Sequence, residues 1–68
     1  MDIVETLKQR RKELGITQEQ LAEIAEVGLR SLKAIECGKA NPTLDTLSKL
    51  ASVMGMEVKL VATTSMKN

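Results

Sequence analysis

The sequence predicts an all-α domain of four to five helices, followed by one short β-strand. Three observations support this fold class. The 68 residues leave no room for a second domain, since single domains usually hold about 100–150 residues. Apolar residues recur at helical spacing as far as Gly55, and glycines and capping residues divide that stretch into segments. After Gly55 the apolar spacing shortens to two residues, which is typical of a strand.

Helix one is predicted from Asp2, an N-cap residue type, to Leu14. Gly15 is expected to end it in the left-handed conformation. Its apolar stripe is interrupted by Arg11. A guanidinium group at the edge of a core requires a carboxylate partner, because an unpaired charge there is costly.

A capping box marks the start of helix two. The Thr17 hydroxyl and the Gln20 side chain are placed to bind each other's free backbone amides, and Glu19 adds a negative charge near the positive end of the helix. Small apolar residues then give the helix a narrow face that suits close packing. Residues 26–28 form a short connector to the next helix, and Val27 within it is expected to be buried.

Helix three is predicted from Leu29 to Cys37, and Gly38 is expected to end it. Its outer face is basic, whereas Glu36 lies near its inner edge. If helices one and three pack together, Glu36 is the best partner for Arg11. We therefore predict a structural ion pair between Arg11 and Glu36.

Helix four follows a turn at residues 41–43, and the strand after it cannot satisfy its own backbone groups. The strand must pair with a second copy, pair with another chain, or remain solvated as a frayed tail. We expect a dimer, because so small a core needs further stabilisation. The predicted parts are a helical domain over 1–55, a dimerisation strand over 56–62 and a disordered tail over 63–68. Dimer contacts are assigned to Met56, Val58 and Leu60.

The composition excludes several classes of function. The chain has no Phe, Tyr or Trp, so it cannot build the stacking platform of RRM-like or OB-like nucleic-acid binding. It has no His and one Cys, Cys37, which excludes a His-based catalytic triad, a His/Cys zinc site and an intramolecular disulfide. We therefore expect no enzyme, no metal and no cofactor. With no leader-like N-terminus and no long apolar run, we expect a cytoplasmic protein without membrane contact.

Helices two and three together describe a helix-turn-helix, which favours binding to double-stranded DNA. The net charge is only +1, but residues 16–28 carry three acids and no base, whereas residues 29–39 carry three bases and one acid. The alternative is that the charged residues of these two segments form ordinary solvated helix faces. The first turn of helix two offers free amides and Gln18 to a phosphate. By helical spacing, the residues near the exposed edge of helix three are Leu29, Arg30, Lys33 and Ala34.

Three blocks of sequence resemble the Xre/Cro/C1-type helix-turn-helix repressors. They are Gly-Ile-Thr-Gln at 15–18, Ile-Glu-Cys-Gly-Lys at 35–39 and Asn-Pro-Thr-Leu at 41–44, in the order and spacing of that family. The resemblance covers residues 4–55. It implies a lambda-repressor-like DNA-binding fold and supports the ion pair predicted between helices one and three.

The resemblance also implies residue roles. The residues that would face bases are Leu29, Arg30, Lys33 and Ala34. Those that would contact the phosphate backbone are Thr17, Gln18, Gly28, Ser31, Lys39 and Asn41, and Gln18 would also brace helix three. Arg30 is expected to read a guanine, and Lys33 either a guanine or a phosphate. Leu29 or Ala34 would touch a thymine methyl group, although Leu29 could instead fold back onto the core. Lys39 could instead only complement the dipole at the helix end.

The segment after Gly55 looks like the terminal strand of HipB-like antitoxin repressors, which pair that strand across a dimer. The leading hypothesis is therefore a homodimeric repressor of a palindromic operator. The alternative is an antitoxin or adaptor that binds a HipA-like kinase toxin or another protein through the acidic side of helix two and the strand. An enzyme that uses Glu19 and Glu23 is the weakest hypothesis, because such a pair is more simply a solvated helix face.

Overall fold

The computed structural model of this chain describes residues 2–62, which contain four helices. They are α1 (Ile3–Glu13), α2 (Gln18–Ala25), α3 (Leu29–Glu36) and α4 (Leu44–Val53). Helix α2 contacts both α3 and α4, and α1 contacts α3. The predicted all-α class with a helix-turn-helix is confirmed. The tail predicted over 63–68 lies outside the described residues.

The core is aliphatic because the chain has no aromatic side chain to contribute. Leu21, Leu32, Leu50 and Met54 are fully buried and join α2, α3 and the end of α4. Leu7 adds the contribution of α1. Small side chains at the contacts let the helices approach closely, and these are Ala22, Ala25 and Ala51.

Side-chain caps start three of the four helices. Asp2 Oδ1 accepts a hydrogen bond from the Val4 amide at 2.9 Å at the start of α1. At α2, the Gln20 amide donates to Thr17 Oγ1 at 3.0 Å, and the Thr17 amide donates to Gln20 Oε1 at 2.8 Å. The predicted capping box is therefore present. Thr43 caps α4 through its hydroxyl oxygen at 3.1 Å.

The connector between α2 and α3 is tight. Glu26 has the left-handed conformation, with φ of 59°, which is uncommon for a residue other than glycine. The Val27 amide donates to the Ala22 carbonyl at 2.9 Å, which closes the end of α2. Val27 is half-buried against the core, and Gly28 precedes α3 without any side-chain cap.

Residues 56–62 form no strand in the described part of the chain, so the predicted strand is absent from this single copy. A strand needs a neighbouring strand, and the described residues offer none. The Met56 amide instead donates to the Ala51 carbonyl at 2.9 Å, and Met56 and Val58 pack half-buried against the core. Leu60, by contrast, is fully exposed. Two of the three residues assigned to dimer contacts therefore also serve their own core.

Candidate nucleic-acid interface

Helix α3 presents a basic face to solvent. Leu32 and Ile35 are buried against the core, so the opposite side of the helix is exposed. That side carries Arg30 and Lys33, with Cys37 one turn beyond Lys33. Neither cation forms an ion pair with any described residue. Both are therefore available to an anionic partner.

The other two residues assigned to base contacts are less accessible. Leu29 is half-buried and packs against the core. Ala34 is also half-buried, and its carbonyl accepts from the amides of Lys39 at 2.9 Å and Ala40 at 3.2 Å. Leu29 was predicted either to touch a thymine methyl group or to fold back onto the core. In the structure it makes the core contact, at the start of α3.

An open cavity of about 310 Å³ lies between α3 and the start of α4. It brings together Arg30, Ser31 and Asn41, which the sequence assigned to DNA contact. Thr43 and Thr46 also line it, and the Thr43 hydroxyl donates to Thr46 Oγ1 at 3.1 Å. Neither of these two hydroxyls was predicted as a DNA contact from the sequence. The Asn-Pro-Thr block at 41–43 was the signal that could have found Thr43, and Thr46 follows it by one helical turn.

The predicted partners Arg11 and Glu36 join α1 to α3. Arg11 Nε donates to Glu36 Oε2 at 2.8 Å and Arg11 Nη2 donates to Glu36 Oε1 at 2.9 Å, so the pair is bidentate. Arg11 Nη1 also donates to the Ile16 carbonyl at 3.0 Å. The two charged side chains are 11% and 7% exposed, which shields them from water. The end of α3 is therefore fixed to α1.

Gln18 joins this pair from the start of α2. Its Nε2 donates to Glu36 Oε1 at 2.9 Å, so one carboxylate connects three helices. Burial by itself raises the pKa of the Glu36 carboxyl, but hydrogen bonds from Arg11 and Gln18 and the charges of Arg11 and Lys8 together hold that pKa below its ordinary value. Gln18 was predicted to contact a phosphate and to brace α3, but Glu36 was not predicted as its partner.

The remaining assigned residues lie at helix ends. The backbone amides of Gln18 and Glu19 have no acceptor among the described residues, as is usual in the first turn of a helix. The Thr17 hydroxyl oxygen accepts a hydrogen bond from the Gln20 amide, as part of the capping box. Gly28 and Lys39 are exposed, and Lys39 forms no ion pair with any described residue.

The profile of the family HTH_3, described as helix-turn-helix, matches residues 7–60, a span that includes α2, α3 and α4 completely. The chain belongs to this helix-turn-helix family. The chain is thus a helix-turn-helix domain of the Xre/Cro/C1 type, and its relatives include proteins named as a transcriptional regulator and a repressor. The family predicted from the three sequence blocks is thereby confirmed, and the fold is lambda-repressor-like.

Curated relatives of this helix-turn-helix regulator agree with the family. It is 36% identical over 58 residues to the HTH-type transcriptional regulator DdrOP3 of Deinococcus deserti, covering 85% of this chain and 45% of the relative. It is 39% identical over 51 residues to an uncharacterized HTH-type transcriptional regulator of Methanothermobacter thermautotrophicus, covering 75% and 74%. It is 38% identical over 61 residues to the immunity repressor protein of Bacillus phage phi105, covering 90% and 42%. The chain spans less than half the length of the first and third of these relatives.

Two structural properties complete the description of the regulator. Within residues 2–62, no helix combines the length and the apolar character needed to cross a membrane. The same residues do not bring three His, Cys, Asp or Glu side chains together in a group that could hold a metal ion. None of the three relatives carries a name that links it to HipB-like antitoxins.

Proposed function

We propose that this chain is a homodimeric transcriptional repressor that binds a palindromic operator through the major groove. The observation that carries the proposal is the exposed face of α3, where Arg30 and Lys33 form no ion pair with the described residues. A helix-turn-helix places its second helix in the major groove, so these cations would reach base edges. The phi105 relative is named an immunity repressor, which supports repression over activation.

Base contacts are assigned to the outer side of α3. Arg30 reads a guanine, because a guanidinium group binds guanine O6 and N7 in a bidentate manner. Lys33 binds a guanine or the adjacent phosphate. Ala34 touches a thymine methyl group with its exposed part, whereas Leu29 supports the start of α3 from the core and reaches a base only with its exposed edge.

Phosphate contacts are assigned to the edges of the motif. The free amides at the start of α2 meet one phosphate, together with the Gln18 side chain. Ser31 and Asn41, in the cavity between α3 and α4, bind the backbone of the flanking strand. Lys39 adds a positive charge that attracts the phosphate backbone. The Thr17 hydroxyl group and the Gly28 backbone amide each donate a hydrogen bond to a phosphate.

The dimer contact is assigned to residues 56–62. The backbone groups of residues 57–62 have no partner among the described residues. Leu60 and Val61 are 101% and 71% exposed, so two large apolar side chains lie in water beside an unpaired backbone. A second copy that pairs with this segment would satisfy the backbone groups that face it and would cover part of the exposed apolar surface.

The charges of the segment indicate one register for this pairing. Glu57 and Lys59 lie on either side of Val58, and their side chains approach to 3.6 Å within one chain. Antiparallel pairing centred on Val58 places Glu57 opposite Lys59 of the second copy, twice around the two-fold axis. Pairing centred one residue away would instead place Glu57 or Lys59 opposite its own copy, which repels.

Charge reversal tests the register. Glu57→Lys and Lys59→Glu are each expected to weaken the dimer, because like charges then face each other across the axis. An equimolar mixture of the two variants is expected to dimerise again, because it restores two opposite-charge pairs between copies. Sedimentation equilibrium measures all three samples. Two single variants that dimerise like the wild type would show that the register is wrong.

Selection from a random duplex library, at about 150 mM salt, tests the DNA-binding function. We expect a palindromic motif with half-site centres about 10 base pairs apart, since recognition helices about 34 Å apart enter successive major grooves. Arg30→Ala is expected to relax the preference at one position in each half-site, whereas Lys49→Ala on α4 is the control and leaves the motif unchanged. If Arg30→Ala preserves both affinity and preference, another residue reads that base.

The second candidate, an antitoxin or adaptor that binds a HipA-like kinase, is favoured by no contact among the described residues. It would become the leading candidate if the folded protein enriched no duplex. Co-purification of a kinase with the tagged chain would then support it.

A further inference from the structure

We propose that Glu36 is a positioning residue for DNA binding, which orients the side-chain amide of Gln18 so that this amide can donate to a phosphate. The inference rests on the proposed DNA-binding function. It gives the carboxylate at the end of α3 a role in addition to its ion pair. The contact that carries it is the hydrogen bond from Gln18 Nε2 to Glu36 Oε1 at 2.9 Å.

Glu36 is itself held in one orientation. Arg11 donates to both oxygens of the carboxylate, at 2.8 and 2.9 Å, and is held in turn by its third contact, with the Ile16 carbonyl at 3.0 Å. The Glu36 side chain is only 7% exposed, so water has little access to compete for these bonds. The oxygen that Gln18 meets therefore occupies a fixed place relative to α1 and the start of α2.

The chemistry of the contact determines which end of the Gln18 amide points inward. An ionised carboxylate only accepts hydrogen bonds, so the amide must turn its nitrogen and not its oxygen toward Glu36. One N–H of Nε2 is then used by Glu36. The second N–H remains free for a ligand, because Gln18 has no other side-chain partner among the described residues.

The free N–H of the Gln18 side chain belongs to the same turn as two free backbone amides. These are the amides of Gln18 and Glu19, which have no acceptor among the described residues. The oxygens of a backbone phosphate accept hydrogen bonds and do not donate them. One phosphate would therefore bind the side-chain N–H and both backbone amides. If the Gln18 amide were reversed, its oxygen would face the phosphate and repel it. Glu36 prevents this reversal.

Glu36→Gln separates positioning from electrostatics by the sign of its effect. The substitution removes a negative charge, and this change alone would strengthen binding to DNA. A glutamine at position 36 offers both a donor and an acceptor, so the Gln18 amide is no longer held in one orientation. We therefore expect Glu36→Gln to weaken operator binding about five- to tenfold.

A double-mutant cycle on the selected operator tests the inference. Affinities are measured for wild type, Glu36→Gln, Gln18→Ala and the double variant, with circular dichroism to show that each is folded. We expect Glu36→Gln to weaken binding in the wild-type background and to have no effect in the Gln18→Ala background. A role limited to folding would weaken binding equally in both backgrounds, and this result would overturn the inference.

Gln18→Asn provides a second test that leaves the Arg11–Glu36 pair in place. Its shorter side chain cannot contact both Glu36 and a phosphate, so it is expected to bind as weakly as Gln18→Ala. Because a neutral amide releases no counterion, both variants are expected to keep the wild-type slope of log affinity against log salt, whereas loss of a cationic contact would reduce it by about 0.9. Wild-type affinity for Gln18→Asn would overturn the positioning role. A wild-type chain that selects no duplex would overturn the proposed function itself.

Discussion

Helices α2 and α3 form one motif, but they begin in opposite ways. Helix α2 starts with a reciprocal capping box between Thr17 and Gln20. Helix α3 starts at Gly28, which provides no side-chain cap, and is held instead at its far end, where Glu36 meets Arg11. The helix assigned to the major groove is therefore anchored by its C-terminal end and its buried face. Its first turn presents Arg30 and Ser31 to solvent.

Removing the anchor of α3 should have the largest effect. Arg11→Ala leaves the Glu36 carboxylate without its charged partner at a site where both side chains are nearly buried. We expect the free energy of unfolding to fall by about 3 kcal/mol, measured by urea denaturation at pH 7. Lys12→Ala, at the exposed neighbouring position, is the control and should change it by less than about 0.5 kcal/mol. Equal effects of both substitutions would show that the pair does not anchor α3.

Acid should weaken the same anchor reversibly. The pKa of Glu36 is lower in the folded chain than its ordinary value of 4.5, so ionised Glu36 stabilises the fold above that pH. This contribution is lost as pH falls below 4.5 and through the lowered pKa of the folded state. Urea denaturation between pH 7 and 2 should show a steeper loss of stability for wild type than for Glu36→Gln. Parallel curves would contradict the assignment to Glu36.

Removing the cap of α2 should have a smaller effect, because it costs hydrogen bonds at a solvated helix end. Thr17→Ala is expected to lower the free energy of unfolding by about 1 kcal/mol. Ser48→Ala, on the exposed side of α4, is the matched hydroxyl deletion and should change it by less than about 0.5 kcal/mol. Thermal unfolding of the two variants measures the difference. A Thr17 variant as stable as the Ser48 variant would leave the cap without an energetic role.

Adding a cap to α3 should give the smallest change, and it would make the two helix starts alike. Gly28 has φ of −60°, and a Cβ there would lie 3.6 Å from Ser31 Oγ, an ordinary contact. Gly28→Ser is therefore expected to stabilise the chain by about 0.3 kcal/mol. Gly38→Ser should destabilise it, because Gly38 has φ of +83°. Thermal unfolding compares the two variants. A stabilising serine at both positions would contradict the argument from backbone conformation.

Helix boundaries were predictable because the signals are local. Asp2, Thr17 and Gly15 each act within one turn of the helix that they start or end. The contact between Arg11 and Glu36 was also predictable, because a guanidinium group that interrupts an apolar stripe needs a nearby carboxylate. The helix boundaries required no knowledge of how the helices cross, whereas the contact between Arg11 and Glu36 was predicted on the condition that α1 and α3 pack together.

Features that depend on the crossing of helices were not predictable. Gln18 and Glu36 lie 18 residues apart, and their hydrogen bond exists only because the start of α2 lies beside the end of α3. Ile24 and Leu44 occupy apolar positions in their helices but are 62% and 67% exposed. Periodicity shows which residues share a face, but it does not show where the neighbouring helix stops covering that face.

Cys37 gives the outer face of α3 a single chemical handle. It is the one cysteine of the sequence, its thiol is exposed, and it follows Arg30 by seven residues, or two helical turns. A maleimide-linked iron chelate on this thiol, supplied with hydrogen peroxide and with ascorbate to keep the iron as Fe(II), would generate hydroxyl radicals beside a bound duplex. The positions of strand scission on the operator would then map the direction in which α3 runs along the groove, without any substitution in the protein.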